Sequence, residues 1–195
     1  ILTGSDDKTA QLWDAATGRP IGHALPHDRD VRCVALSPDG AIALTARSYD
    51  SVRSWDVATG RMLGEFPSPG SAIQSLAISP DGRKVLAGGS DKNAYMWDCT
   101  SGKSLGQPLR HEAAVLAVAF RSDVRTAVTA SRDGAIHRWD LVTGEPLGLA
   151  AILERNVNSV TLLHGGDAAL IGFEDYSVSL LDLSADSSAQ AALPI

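Results

Sequence analysis

Aromatic residues are scarce in this chain, and its sequence contains no long apolar run. Only 5% of the 195 residues are Phe, Trp or Tyr, while 44% are hydrophobic and 21% are charged. Those fractions are ordinary for a folded globular protein. No apolar run approaches the roughly 20 residues of a membrane-spanning helix, and the N-terminus has no signal-peptide pattern. We therefore expect no membrane contact from this segment.

Clusters of basic residues and paired cysteines are also missing. The net charge is −6 at pH 7 and no run of Lys or Arg exists, so the electrostatic signature of a nucleic-acid-binding protein is absent. The two cysteines, Cys33 and Cys99, lie at unrelated positions, which suits free thiols in a reducing compartment better than a disulfide framework. We expect a cytoplasmic location and no nucleic-acid partner.

The four tryptophans fall on one regular spacing. Trp-Asp dipeptides recur every 42 residues, and one further step reaches Leu181-Asp182. A fixed period of roughly 20 to 50 residues indicates a propeller, a solenoid or a repeat array. Aligning the dipeptides gives one partial unit, 1–27, and four full units, which are 28–69, 70–111, 112–153 and 154–195. Because the chain begins inside a unit and without Met, we expect it to be a piece of a longer protein.

Each unit reads as four short strands joined by tight turns. In unit 28–69 the strand-like runs are 31–37, 42–47, 52–56 and 61–66, separated by turn signals such as Ser37-Pro38-Asp39-Gly40. The Asp after each Trp is expected to cap the hairpin that follows it. One such sheet cannot bury both faces alone, so sheets stacked around an axis, as in a β-propeller, are predicted.

The units resemble WD repeats, the building blocks of the WD-repeat β-propellers. The resemblance covers the whole chain and rests on Ser-Pro-Asp-Gly, an Asp six residues before the Trp, and Trp-Asp at constant spacing. It implies an all-β propeller of four-stranded antiparallel blades, with about four and a half to five blades present and an incomplete ring. The remaining blades of a parent chain, or another copy, would complete the ring.

The same resemblance implies a hydrogen-bonded network in each blade. It links a His ahead of the unit, a Ser or Thr on the second strand, an Asp in the next turn, and the Trp. All four are present around unit 112–153; elsewhere the set is partial, with Pro69 and Ala87 replacing two members in unit 70–111. The residues carried over are His111, Thr129, Asp133, Trp139, His27, Thr45, Trp55, Thr3, Asp7, Trp13, Asp91, Trp97 and Asp175.

A histidine, a hydroxyl and a carboxylate could also form a hydrolase triad. The set recurs once per unit, however, whereas catalysis needs one site, so a structural role is favoured. No His pairs with another His or Cys at a metal-ligand spacing. We therefore expect no catalytic residue, cofactor or metal in this chain.

The candidate binding surface follows from the resemblance, because WD-repeat proteins often meet partners at the loops before the first and third strands. The variable positions there carry mixed charge, which favours a protein or peptide partner, although each could be plain solvated surface. They are Asp6, Asp30, Arg32, Ser48, Gln74, Ser90, Leu116, Arg132, Asn156, Asn158 and Glu174.

Two functions are consistent with these observations. The leading hypothesis is a non-catalytic protein–protein interaction scaffold. The alternative is a C-terminal regulatory or sensor segment of a bacterial multidomain enzyme, such as a Ser/Thr protein kinase. It rests on the alanine-rich units, which resemble the regular arrays of such bacterial proteins.

Overall fold

The described part of the chain folds into short antiparallel strands joined by turns. The computed structural model describes residues 1–46, 51–67, 70–153, 157–163, 167–183 and 193–194. These residues contain no helix, and hence none that is long and apolar enough to span a membrane. Both cysteines are free thiols.

The strands of the described residues form five sheets, which we call blades 1 to 5. Blade 1 contains β1 (Leu2–Gly4), β2 (Thr9–Trp13) and β3 (Pro20–Pro26). Blade 2 contains β4 (Cys33–Leu36), β5 (Ile42–Ala46), β6 (Val52–Asp56) and β7 (Met62–Phe66). Blade 3 contains β8 (Ile73–Ile78), β9 (Lys84–Gly89), β10 (Asn93–Asp98) and β11 (Leu109–Arg110). Blade 4 contains β12 (Val115–Phe120), β13 (Thr126–Ser131), β14 (Ala135–Asp140) and β15 (Pro146–Ile152). Blade 5 contains β16 (Val157–Leu163), β17 (Ala168–Phe173), β18 (Val178–Asp182) and β19 (Leu193–Pro194).

Strands pair in sequence order within every blade, which confirms the predicted all-β blade architecture. The hairpins close as the sequence predicts. In blade 2 the Asp56 carboxylate accepts hydrogen bonds from the Thr59 backbone N–H at 2.7 Å and from the Thr59 hydroxyl at 2.6 Å. Gly60 then adopts φ +67°, a left-handed conformation that glycine enters without a Cβ penalty. Asp14 and Asp98 cap their hairpins in the same way.

Among the described residues, the hydrophobic core is divided into four layers, one between each pair of successive blades. Successive side chains of a strand point to opposite sides of a sheet, so Ala43 on β5 packs toward blade 1 whereas Leu44 packs toward blade 3. Trp55, Trp97 and Trp139 each lie in the layer shared with the preceding blade. Every internal blade therefore has two apolar faces, a preceding-side face and a following-side face.

The blades follow one another along an arc. The strand nearest the axis contacts its successor in the pairs β1–β4, β4–β8, β8–β12 and β12–β16. No strand of blade 1 makes a comparable contact with a strand of blade 5 among the residues described. This confirms the predicted incomplete ring.

Close packing between blades 3 and 4 requires a residue without a side chain at Gly88. A Cβ added there would lie 2.8 Å from Val115 Cγ1 and 2.9 Å from the Val115 carbonyl oxygen.

We expect Gly88→Ala to lower the free energy of unfolding by about 1–3 kcal/mol through overpacking, as measured by urea denaturation.

The matched control is Gly64→Ala, whose Cβ would meet only the Ser54 hydroxyl at 3.5 Å. It should change stability far less. Equal losses in the two variants would contradict the close-packing explanation.

Candidate functional site

A chain of hydrogen bonds connects three buried side chains around blade 4. The Trp139 indole N–H donates to Thr129 Oγ1 at 2.8 Å, and Thr129 Oγ1 lies 2.6 Å from His111 Nε2. His111 Nδ1 lies 3.0 Å from the Leu109 carbonyl oxygen. Because a carbonyl only accepts, Nδ1 carries the proton, and Nε2 accepts from the threonine hydroxyl. All of these polar groups are thereby paired.

This chain of bonds joins two blades. Leu109 belongs to blade 3, whereas Thr129 and Trp139 belong to blade 4. The same arrangement joins blades 1 and 2, where His27 bonds to the Leu25 carbonyl at 3.0 Å and to Thr45 at 2.8 Å. Trp55 donates to Thr45 at 2.8 Å. We call each arrangement a His-Thr-Trp staple.

The other two junctions lack the complete set of three residue types. Between blades 4 and 5 the corresponding positions hold Leu153, Ile171 and Leu181, all of them buried apolar side chains. Between blades 2 and 3 Trp97 is retained, but the hydroxyl position is Ala87, and Pro69 lies outside the described residues. Junctions with a complete staple and junctions without one therefore alternate along the arc.

The aspartates of the predicted network serve their own turns. Asp133 Oδ1 accepts from the Ser131 hydroxyl at 2.5 Å and from the Ala135 N–H at 3.1 Å, and no hydrogen bond joins Asp133 to His111 among the described residues. Asp7 and Asp175 likewise bond to the residue two positions ahead. Each carboxylate is thus hydrogen-bonded within its own turn. The observed network therefore contains three side chains at each staple: the His, the Thr and the Trp.

In blade 3 a different set of side chains lies beside the tryptophan, and the sequence did not predict it. Asp91 accepts hydrogen bonds from the Tyr95 hydroxyl and from Asn93 Nδ2, and the Tyr95 ring stacks on Trp97 with centroids 5.9 Å apart. Burial, together with the bond to Asp91, raises the pKa of Tyr95 to about 12. The only sequence signal was an aromatic residue two positions before a Trp.

The electrostatics of the staple oppose proton-transfer chemistry. Burial, assisted by the neighbouring His137 ring, lowers the pKa of His111 to about 4. Burial also lowers the pKa of His137. With both ring nitrogens of His111 already bonded, no free nitrogen is left to act as a general base. Within the described ranges, no group of three or more His, Cys, Asp or Glu side chains is arranged to hold a metal ion.

The candidate binding surface lies at the end of the blades formed by the β1–β2, β9–β10, β13–β14 and β17–β18 turns, which we call the turn face. Two predicted members, Ser48 and Asn156, fall outside the described residues. Four exposed members stand at the tips of these turns. They are Asp6, Ser90, Arg132 and Glu174.

Three other predicted residues occupy irregular positions on the innermost strands. The pairing register shifts by one residue around Gln74, Leu116 and Asn158, so each is the extra residue of a local bulge. Bulges re-aim side chains and are common beside functional sites. Gln74 and Asn158 are exposed, whereas Leu116 is partly buried against the core layer between blades 4 and 5.

Three of the predicted residues come together in one cluster. Arg32 Nε donates to the Asp30 carboxylate at 2.6 Å, and its guanidinium lies 4.0 Å from Asp6. The hydrogen bond from Arg32 holds the pKa of Asp30 below its ordinary value. The cluster spans the junction of blades 1 and 2 on the turn face.

The β17–β18 turn presents an aromatic residue that sequence reasoning also missed. Tyr176 is 97% exposed and has φ +66°, a backbone region that non-glycine residues seldom occupy. Lys8 and Lys92 adopt the same conformation in the corresponding turns. In these three blades the turn geometry therefore projects one variable side chain into solvent, whereas Gly134 occupies the same position in blade 4.

The staple predicts a specific stability loss. Thr129→Val removes the hydroxyl that accepts from the Trp139 indole N–H and donates to His111. Because two buried polar groups lose their partner, we expect the free energy of unfolding to fall by about 1–3 kcal/mol. Urea denaturation measures this. Thr161→Val, at an exposed threonine of β16, is the control; an equal loss there would mean that the effect is not due to the staple.

Acid should weaken the same junction. The folded-state pKa of His111, about 4, lies below its ordinary 6.5, so the unfolded chain binds the proton more tightly. The stability contributed by neutral His111 is fully present above about pH 6.5 and is lost as pH falls toward 4, on the order of 3 kcal/mol in all.

Denaturation midpoints between pH 7 and pH 4 test this dependence. His111→Gln should flatten the slope in that range relative to the unsubstituted protein. An unchanged slope would contradict the assignment to His111.

The family model described as "WD domain, G-beta repeat" matches residues 18–56, 60–98 and 102–140. The computationally designed Ika8 protein, in a crystal structure, superimposes with a TM-score of 0.75 over 92% of this chain and 54% of its own chain, at 23% sequence identity. That likeness concerns the fold alone.

Curated relatives match over a stretch close to one repeat in length. The "Ribosome biogenesis protein BOP1 homolog" of Drosophila erecta and that of Drosophila melanogaster are each 44% identical over 46 residues, which is 24% of this chain. The homolog of Drosophila grimshawi is 46% identical over the same length. The chain spans 6% of the length of these relatives. Since the family model covers more than half of the sequence and the blades have the geometry described above, the chain belongs to the WD40 family of G-beta repeats.

Proposed function

We propose that this chain is a non-catalytic scaffold that binds a protein or peptide partner through the turn face. The observation that carries the proposal is the contrast between constant and variable positions. Hairpin caps and core layers recur from blade to blade, while the exposed turn tips hold Asp6, Ser90, Arg132 and Glu174. A rigid frame that presents varied side chains suits recognition.

The charge and exposure of this face support a protein partner. The Asp6–Arg32–Asp30 cluster carries both signs, whereas a phosphate backbone would favour uniformly basic contacts. Tyr176 adds an exposed aromatic ring, and tyrosine is enriched among residues that dominate binding energy at interfaces. Repeats of this family generally mediate protein–protein interaction, which agrees with this assignment.

Neither the relatives nor the chain favours a more specific role. The match to the ribosome biogenesis homologs is about one repeat long, so it supports the blade and not the biological process. No observation on this chain favours the kinase-associated alternative over a scaffold. The partner is therefore defined here by chemistry: a protein surface or peptide with mixed charge and a site for an aromatic ring.

Substitutions on the turn face test the proposal. Arg32→Glu, Arg132→Glu and Tyr176→Ala should each reduce partner recovery in affinity capture followed by mass spectrometry, because each removes an exposed contact without entering the core. Thermal melting should stay close to that of the unsubstituted protein.

Controls at the opposite end of the blades make the result specific. Asp39→Arg in the β4–β5 turn and Val142→Ala in the β14–β15 turn alter exposed side chains there, and both should leave recovery intact. If all three turn-face variants recover the same partners as the unsubstituted protein, this face is not the binding surface.

A further inference from the structure

A cavity lies between blades 3 and 4, at the end of the blades opposite the turn face. Its volume is about 490 Å³, within the roughly 300–1,000 Å³ range of small-molecule sites. Residues 105–109 of blade 3 and 141–145 of the β14–β15 turn form most of its lining. Both blades have described neighbours on each side, so the cavity belongs to an internal junction.

The cavity exists because the outer strand of blade 3 is short. The strand β11 has two residues, whereas β3, β7 and β15 have seven, five and seven. Pro108 directly precedes β11, and a proline has no N–H to donate to a strand ladder. The residues before β11 therefore form a loop in place of a longer outer strand.

At the two preceding junctions the same space is closed by direct contact. A Cβ added at Gly60, in the β6–β7 turn, would lie 4.0 Å from Leu25 Cδ2 of blade 1. One added at Gly102 would lie 3.7 Å from the Glu65 carbonyl oxygen of blade 2. A Cβ added at Gly144, in the equivalent turn of blade 4, would meet no described atom within 4 Å. The turn of blade 4 therefore stands clear of blade 3, and the gap between them is the cavity.

Much of the cavity lining is apolar. Met96, Leu105 and Leu109 contribute from blade 3, and Leu141 contributes from blade 4. Leu109 and Leu141 are 4% and 6% exposed, so they form a fixed part of the wall. An apolar wall with a few polar groups is typical of sites that bind small molecules.

Two opposite charges stand beside this apolar lining. Lys84, the first residue of β9, and Glu145, in the β14–β15 turn, both line the cavity. No ion pair joins them to each other or to another of the described residues. A ligand that carries one charge of each sign therefore finds a partner for each charge.

We propose that this cavity binds a free dipeptide with bulky apolar side chains. The carboxylate of the ligand pairs with Lys84, its ammonium group pairs with Glu145, and its side chains pack against Met96 and Leu105. Because Lys84 and Glu145 do not reach each other, the two charges of the ligand must stand apart. An extended peptide separates them by about 3.3–3.6 Å for each residue, so two residues span more of the cavity than a single amino acid.

Isothermal titration calorimetry with four matched peptides tests the site. Leucyl-leucine carries both charges and two apolar side chains, and it should bind. Blocking the amino group in N-acetyl-leucyl-leucine, or the carboxylate in leucyl-leucinamide, should weaken binding about two- to fivefold, the range for exposed charge pairs. Glycylglycine keeps both charges but has no apolar side chain, and it should show no binding.

Charge-neutral variants assign each end of the ligand. Glu145→Gln should bind leucyl-leucine and its N-acetyl form equally, while still preferring leucyl-leucine to the amide. Lys84→Gln should show the reverse pattern. The matched control is Lys103→Gln, at an exposed lysine that does not line the cavity, and it should keep both preferences. Circular dichroism melting establishes that each variant is folded.

Three results would overturn the proposal. Leucyl-leucine could bind no better than glycylglycine. Either cavity variant could weaken all of the peptides equally, as a loss of structure would. N-acetyl-leucyl-leucinamide, which has neither charge, could bind as tightly as leucyl-leucine, which would indicate a site for neutral apolar molecules.

The cavity and the turn face lie at opposite ends of the blades, so the two binding activities can be separated. The turn-face variant Arg132→Glu should bind leucyl-leucine like the unsubstituted protein. Loss of dipeptide binding in that variant would contradict the assignment of the site to the cavity, whatever its effect on partner recovery.

Discussion

Burial of one blade's apolar face against the next blade is the contact on which this molecule depends. A small antiparallel sheet with alternating side chains has apolar residues on both faces, as Ala43 and Leu44 show on β5. Water is excluded from both faces only if each blade has a neighbour on each side. The core is therefore a series of layers, and each layer exists only where two blades meet.

Hydrogen bonds refine this packing without creating it. The His-Thr-Trp staples join blades 1 to 2 and 3 to 4, yet the junction of blades 4 and 5 forms with Ile171 and Leu181 in place of the polar residues. A buried bond contributes roughly 1 kcal/mol net, while leaving one partner unpaired costs more. This asymmetry is consistent with the staple residues being lost together in blade 5.

Packing also separates the parts of the surface that can vary from those that cannot. Positions such as Gly88 and Trp97 are set by the adjoining blade. Turn tips and bulge residues such as Arg132 and Gln74 contact mainly solvent, so their identity is free to follow a partner. The mixture of charges on the turn face is a consequence of that freedom.

Much of the architecture could be predicted from spacing alone, because each unit repeats the same strands and turns around its Trp-Asp dipeptide. The site was less predictable. His111 and Thr129 lay in recognisable columns, but the hydrogen bonds of Asp133 within its own turn and the role of Tyr95 depend on local geometry that the columns do not specify. Likewise, Leu116 was expected on the surface and is partly buried against the core layer between blades 4 and 5, whereas Gln74 and Asn158 at the same bulge position are exposed.

The sequence by itself determined the blade: its period, its four strands, its capped turns and the alternation of apolar positions. The tertiary structure decided which of those blade faces are covered. Leu170 and Val178 follow the same pattern as Val128 and Ile136, yet only the latter pair is buried. Exposure depends on a neighbouring blade, and a repeat pattern describes the blade without specifying that neighbour.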